Sequence, residues 1–290
     1  MSENNLNLLT LPAPAKINLF LHITGRRPDG YHELQTLFQL LDVGDELDFI
    51  RTDDGKITLA CQDVTLGNPE DNLVTQSARL LQQHTRTHYG AQITLHKKLP
   101  SGAGLGGGSS DAATALLGLN HLWQTQVPPA ELASLGLALG ADVPVFVQGH
   151  SAWAEGVGEI LTPVTLPEPY FVVLSPDCHV NTGEIFSHQQ LTRDSSPIKM
   201  AAFLAGQSRN DCETLVRRLY PEVDAAINWL SQFGPARLTG TGSSLFAPMS
   251  SEQAARDVLQ ALETEEDLAL SGIQGWIAKG INRSPVLNCL

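Results

Sequence analysis

Residues 99–113 read LPSGAGLGGGSSDAA, and five of the seven positions from Gly102 to Gly108 are glycine. Without a Cβ, such positions let the backbone approach a ligand and turn its N–H groups inward. Just upstream, Ala91, Ile93 and Leu95 alternate with Gln92, Thr94 and His96, the pattern of a strand. Ser109-Ser110 then opens a predicted helix carrying Ala112, Ala113, Leu116, Leu117, Leu119 and Leu122. Strand, glycine loop and helix N-terminus in that order make a cradle for phosphate, because open amides and the helix dipole both favour negative charge. A plain strand-to-helix turn needs only one or two glycines.

Two common phosphate loops fit poorly. A Walker A loop ends in Gly-Lys-Ser/Thr, but no lysine stands between Gly108 and Ser109. Gly102-x-Gly104-x-x-Gly107 satisfies the dinucleotide pattern, yet that pattern needs a second strand ending in Asp or Glu about 20 residues on. Residues 112–140 read instead as two helices, the second opening at Pro129 and stopping at Gly140.

Working outward, Ala15 to Ile23 alternate as a strand with Lys16 and Asn18 on one face, followed by a turn at Arg26 to Gly30. Tyr31–Leu41, Glu46–Ile50 and Lys56–Ala60 read as further strands, and Asp71 as the cap of a helix through Leu81. Thr162 to Pro169 holds three prolines and joins two halves. Beyond it come a strand at Tyr170–Leu174, helices near Asp211–Leu219 and Pro221–Gln232, and a hairpin turning at Gly240-Thr241-Gly242. Ser250 and Gln253 make a candidate capping box, and Gln274–Ile281 a last strand. Strands in runs with helices between them predict an α+β fold with mixed or antiparallel sheets.

The chain has 290 residues, 42% apolar and 17% charged, enough for a packed core and too little charge for disorder. Its formal net charge of −13 speaks against nucleic acid and anionic membranes as partners. A phosphate substrate must then meet positive potential concentrated locally. No apolar run reaches the roughly 18 residues of a membrane span, and residues 1–16 lack the regions of a signal peptide. Cys61, Cys178, Cys212 and Cys289 are scattered, as expected of reduced thiols in a cytoplasmic protein.

Four segments, PAKINLFL (14–21), LPSGAGLGGGSSDAA (99–113), LGADVPVF (139–146) and LTGTGSSLFA (238–247), together resemble the GHMP small-molecule kinases. PDGYHELQT (28–36) and the triple glycine are marks of the branch whose acceptor is a cytidyl diphosphate alcohol of the non-mevalonate isoprenoid route. The likeness spans nearly the whole chain, with little of it in Leu191 to Asn210. It implies two domains, an ATP-binding one over residues 1–160 and one over 161–290 that helps bind the acceptor, with both substrates in the cleft between them. It also implies transfer of the γ-phosphoryl group of ATP, with Mg²⁺, to the acceptor's 2-hydroxyl.

Under the resemblance, Lys16 and Asp142 are the catalytic pair. Pro100, Ser101, Gly102, Ala103, Gly104, Leu105, Gly106, Gly107, Gly108, Ser109 and Ser110 form the ATP phosphate loop. Tyr31, His32 and Phe186 hold the cytosine end, with Asn18 and Thr182 also on the acceptor side. The chemistry suits these residue types. Phosphoryl transfer is mostly positioning and charge neutralisation, a carboxylate can take the hydroxyl proton, and a nearby lysine keeps that carboxylate ionised.

Other features read as structural. His84 and His88 lack the glutamate of HExxH and sit at the exposed end of a helix. Arg26-Arg27 and Lys97-Lys98 read as solvated charge, and the four tryptophans as core. Mg²⁺ is expected to sit mainly on phosphates, with Ser109 the one candidate protein ligand. A monomer or weak homodimer is expected. The alternatives are a GHMP kinase for mevalonate or homoserine, a nicotinamide-dependent oxidoreductase using the glycine loop, and an RNA-binding module, which the charge disfavours.

Overall fold

The computed structural model describes residues 8–61, 68–265, 267 and 270–290. Two long antiparallel strands, β1 (Leu8–Arg26) and β2 (His32–Thr52), form its spine. The two strands expected at Tyr31–Leu41 and Glu46–Ile50 are one continuous β2, because β1 pairs with it from end to end through small register shifts. The turn between them is closed by Gly30, whose φ of 95° favours glycine.

One edge of β2 belongs to β1. The other is shared in turn by β5 (Ala152–Glu155), β10 (Gln274–Ile281) and β4 (Gly90–His96). β3 (Ile57–Cys61) lies parallel to β4, and β6 (Ile160–Pro163) pairs with β5. Beyond β10 the sheet continues through β7 (Tyr170–Ser175), β9 (Leu245–Met249) and β8 (Arg237–Leu238). Apart from β3–β4 these pairings are antiparallel, so the fold is α+β with a mixed sheet, as the run of elements predicts.

Helices cover the sheet in two groups. α1 (Leu73–Thr85), α2 (Gly107–Leu122), α3 (Pro129–Leu137) and α4 (Val143–Gln148) pack on the first half around Leu11, Leu47, Phe49 and Leu116. In the second half, α5 (Thr182–Ser187) and α6 (Met200–Leu204) are short. They precede α7 (Glu213–Leu219), α8 (Pro221–Leu230) and α9 (Glu252–Glu263), which cover Val172, Leu174 and Ala247. The cores exchange segments: Leu21 and Ile23 of β1 enter the second, and Val286 near the C-terminus enters the first.

Two caps differ by one residue from the sequence reading. Asn72 rather than Asp71 caps α1, its Oδ1 accepting from Val74 N at 2.9 Å. Ser251 rather than Ser250 caps α9, accepting from Ala254 N. In each case the neighbour with extended backbone can aim its side chain at the open amides. Likewise α2 opens at Gly107, two residues before the serines.

Among the described residues no strand covers the outer edge of β1, and its amides are claimed by the loops that build the site. Lys16 N donates to Leu105 O at 3.0 Å, Asn18 N to Thr239 Oγ1 at 2.9 Å and Leu21 N to Arg209 O at 3.0 Å. Between Leu11 and Ile23 both faces of the strand are largely buried, with the polar Lys16, Asn18 and His22 included.

Helix α2 lies so close to β1 and β2 that Gly118 is pinned between Leu11 and Phe49. An added Cβ would stand 2.9 Å from Leu11 Cδ1 and 3.1 Å from Phe49 Cε2. Gly118→Val should overpack this seam and cost about 1–3 kcal/mol, lowering Tm by roughly 2–4 °C per kcal/mol. Thermal unfolding measures it, and an unchanged Tm would mean that α2 has room to move.

Candidate active site

Gly102, Gly104 and Gly106 all have positive φ, of 69°, 80° and 74°. The loop they allow folds back over β1 and against the Gly240–Gly242 turn. A Cβ on Gly104 would lie 2.4 Å from Thr239 O, which leaves glycine as the residue that fits. Gly106 starts α2 with no side chain capping it. The first amides of α2 are thus left for a ligand, and Gly107, Gly108 and Ser109 line a cavity of about 410 Å³.

Lys16 rises from β1 into the floor of that cavity and is only 3% exposed. Its Nζ donates to Asn18 Oδ1 at 2.7 Å and to Gly104 O at 3.0 Å, and lies 3.2 Å from Asp142 Oδ2. The Phe38 ring adds a cation–π contact at 5.4 Å. Asp142 precedes α4, and its carboxylate is one-third exposed, open to the cavity. Asn18 is oriented by donating from Nδ2 to Thr36 Oγ1 at 2.9 Å, and Thr36 in turn donates to Phe20 O.

The cavity runs on into a second hollow of about 510 Å³, sharing Leu34, Ala141, Val157, Thr182 and Phe186 with it. Tyr31 and His32 line this far end, Tyr31 at the rim and 64% exposed. His32 stacks on Phe186 with centroids 5.2 Å apart and planes 28° from parallel. Burial holds the His32 imidazole below its ordinary pKa, and the charges of Arg193 and Arg26 act in the same direction. Thr182 Oγ1 lies 2.9 Å from Thr241 Oγ1, tying α5 to the Gly240–Gly242 turn.

The sequence-predicted residues therefore meet in one cleft, with two exceptions. Ser101 faces a separate polar hollow beside Asp177 and His179. Ser110 is fully buried below the loop, its hydroxyl without a partner.

A profile described as the GHMP kinases N terminal domain matches residues 72–150, and one described as GHMP kinases C terminal matches residues 191–267. The chain is 53% identical over 285 residues to a 4-diphosphocytidyl-2-C-methyl-D-erythritol kinase of Marinobacter nauticus, with 97% of each chain covered. The chain belongs to the GHMP kinases.

A Pseudomonas syringae kinase of the same name is 56% identical over 277 residues, 95% of each chain. A crystal structure titled 4-(cytidine 5'-diphospho)-2C-methyl-D-erythritol kinase is 33% identical, with a TM-score of 0.79 over 94% of this chain and 99% of that one. As a GHMP kinase, the chain takes ATP as its phosphoryl donor. The second profile starts at Leu191, so the stretch that carries few motifs is part of the kinase fold.

Sequence reasoning missed several groups of this kinase site. Thr36 and Thr239 lie within two of the recognised segments, 28–36 and 238–247, yet nothing local reveals that they hold Asn18 by accepting from its Nδ2 and its main-chain N. Lys97, read as solvated, is 7% exposed and lies between Asp45 Oδ2 at 2.5 Å and Asp111 Oδ2 at 3.0 Å. Asp45 Oδ1 also accepts from the amides of Lys98 and Leu99. This cluster backs the phosphate loop, since a Cβ on Gly107 would stand 3.3 Å from both Asp45 Oδ2 and Lys97 Nζ. The signal available was the spacing of Lys97 and Asp111 on either side of the loop, but the partner Asp45 is remote in sequence.

Two measurements probe the loop and its support. Gly106→Val places a β-branched side chain at positive φ, with its Cβ 2.9 Å from Phe146 Cζ. Calorimetry should show ATP affinity reduced at least about tenfold, the equivalent of roughly 1.4 kcal/mol; unchanged affinity would remove the phosphate-cradle assignment. Asp111 is pushed up to about 7 by burial, with Lys97 pulling down and Asp45 pushing up. Unfolded, it titrates near 4, roughly. Its contribution to stability is thus complete below about pH 4 and is lost as the pH rises through about 7, because the folded state holds the proton longer. The stability difference between wild type and Asp111→Asn, read by denaturant titration, should fall over that window. A rise would reverse the assignment.

Proposed function

We propose that this chain transfers the γ-phosphoryl group of ATP to the 2-hydroxyl of 4-diphosphocytidyl-2-C-methyl-D-erythritol. The observation that carries the reading is the Lys16–Asp142 pair at 3.2 Å, placed between a glycine phosphate loop and an aromatic-lined hollow. Identity of 53% and 56% to kinases named for this acceptor supports it over mevalonate or homoserine, and membership of the GHMP kinases supports it over nicotinamide chemistry.

In this reading the triphosphate lies along Gly102–Ser109, its charge met by the backbone amides and the N-terminus of α2. That resolves how a chain of net charge −13 receives two polyphosphates. Asp142 accepts the proton of the 2-hydroxyl, and the freed oxygen attacks the γ-phosphorus as its bond to the β,γ-bridging oxygen breaks and ADP leaves. Lys16 stands beside both groups and offsets the negative charge that builds on the transferring phosphoryl. Asn18 holds the ammonium in place by accepting from it through Oδ1.

Mg²⁺ would neutralise phosphate charge. The site fits it in the usual way, by one or two protein oxygens plus phosphates, with Ser109 and Asp142 as the available oxygens on the cavity wall. No group of three acidic, His or Cys ligands exists among the described residues, so no protein cage is invoked.

At the acceptor end, Tyr31 and Phe186 offer rings to cytosine, where stacking contributes about 1–3 kcal/mol per base. Stacking ignores base identity, so His32 is assigned to read the polar edge. Residues 1–160 supply the nucleotide side, and 161–290 complete the acceptor side through Thr182 and Phe186. No helix among the described residues is long and apolar enough to cross a membrane. The proposed setting is the cytoplasm, with the chain a monomer or weak homodimer.

Asp142→Asn should lower kcat by about 100-fold or more with the affinity for ATP nearly unchanged. Lys16→Met should be similarly impaired, and the double variant little worse than either, because the two act as a unit. A coupled ADP-release assay with the cytidyl acceptor measures this, and near-normal turnover in a folded Asp142→Asn protein would sink the assignment.

A further inference from the structure

Arg193 lies in the stretch with few motifs, yet it reaches the acceptor end of the cleft. Its Nη2 donates to the carbonyls of Phe186 at 2.8 Å and His188 at 2.7 Å, and its Nη1 to that of Leu191 at 3.2 Å. These three bonds to main chain fix the planar guanidinium. Of the two N–H groups left, that of Nε points at His32 Nε2, 3.1 Å away.

A guanidinium nitrogen can only donate. His32 Nε2 must therefore present its lone pair, and a neutral ring with that arrangement carries its proton on Nδ1. Phe186, whose carbonyl Arg193 holds, stacks on the same imidazole and fixes the plane of the ring. Burial together with Arg193 and Arg26 keeps the ring neutral. Among the described residues Nδ1 has no hydrogen-bond partner, and His32 lines the acceptor hollow.

We propose that Arg193 is a positioning residue that locks His32 in its Nδ1–H tautomer and so makes the site select cytosine over uracil. This rests on the acceptor reading above. The two bases differ at N3: cytosine presents a lone pair there and uracil an N–H. A fixed Nδ1–H donor satisfies the first and opposes the second, and a donor facing a donor in a closed site is strongly rejected. Without Arg193 the imidazole is free to take the Nε2–H form. Its Nδ1 then becomes an acceptor, which suits uracil.

The tautomer is read directly from ¹⁵N chemical shifts of the full chain labelled at histidine, without substrate, with His32→Gln identifying the His32 signals. The wild type should show a protonated Nδ1 and a bare Nε2, and Arg193→Met should move the population towards Nε2–H. In parallel, the ratio of kcat/KM for the cytidyl acceptor to that for its uridyl analogue should fall by roughly tenfold, as for one lost hydrogen bond. KM for ATP should stay constant. A wild-type His32 protonated on Nε2 overturns the proposal without any variant being needed. So does an unchanged tautomer in Arg193→Met, or an equal loss for both acceptors, since either outcome makes Arg193 only a brace for the 186–191 turn. Arg193→Lys, which keeps the charge but not the fork, serves if the methionine variant does not fold and should show the same shift in part; no shift at all counts against the proposal. Failure of the functional reading looks different: neither acceptor is phosphorylated, while the ¹⁵N shifts still report on Arg193.

Discussion

The Lys16 ammonium carries three hydrogens and is almost sealed from water, so each hydrogen needs an acceptor or the burial is costly. The three acceptors come from three places in the chain. Asn18 Oδ1 is on β1 itself, Gly104 O is in the glycine loop, and Asp142 Oδ2 heads α4. The fourth recognisable segment, around Thr239, braces this arrangement by accepting from Asn18 N. Segments more than 200 residues apart in sequence are thus held in register by the hydrogen-bonding needs of one buried cation and its neighbouring asparagine. The same demand explains why the outer edge of β1 is closed by loops: a further strand there would occupy the space in which the loop carbonyls must approach Lys16.

Much of this was legible in the sequence, and the reason is local. Glycines at 102, 104 and 106 are needed for positive φ, and they stand out whatever surrounds them. The alternation in 15–23 gave the correct face for Lys16 and Asn18, and Gln274–Ile281 matches the last strand to the residue. Lys97 and Arg193 were missed because their partners are remote in sequence. Lys97 looks like any surface lysine until Asp45, more than 50 residues earlier, is brought beside it. Arg193 lies where no pattern repeats, and its role appears only when His32 and the carbonyls around Phe186 are in place. The short helices α5 and α6 fall below the length at which periodicity can be read.

The sheet explains how so acidic a chain can still gather two anionic substrates. β10 comes from the end of the chain, yet it pairs with both β2 and β7, so the two cores share one continuous sheet. The cleft is framed by loops and helix starts on both sides of that seam, where open amides supply positive potential without added lysines. Net charge describes the solvated surface, whereas in the proposed function the recognition of phosphate rests on backbone dipoles held in a fixed place.

Two buried lysines show what separates a reactive pair from a structural one. Lys97 faces Asp45 and Asp111, both almost fully enclosed, and no substrate can reach between them. Burial, with the Asp45 charge acting in the same direction, makes Asp111 hold its proton up to about pH 7, so two carboxylates can share one ammonium. Lys16 has one carboxylate, and that one is a third exposed, on the wall of the cavity. An enclosed pair can only stabilise or destabilise the fold. A half-open pair keeps the ammonium fixed while leaving one carboxylate oxygen accessible, which is what the proposed proton exchange with a bound hydroxyl requires. Under that proposal the chemistry follows from which partner is exposed: burying Lys16 fixes its position, and leaving Asp142 at the wall opens that position to a substrate.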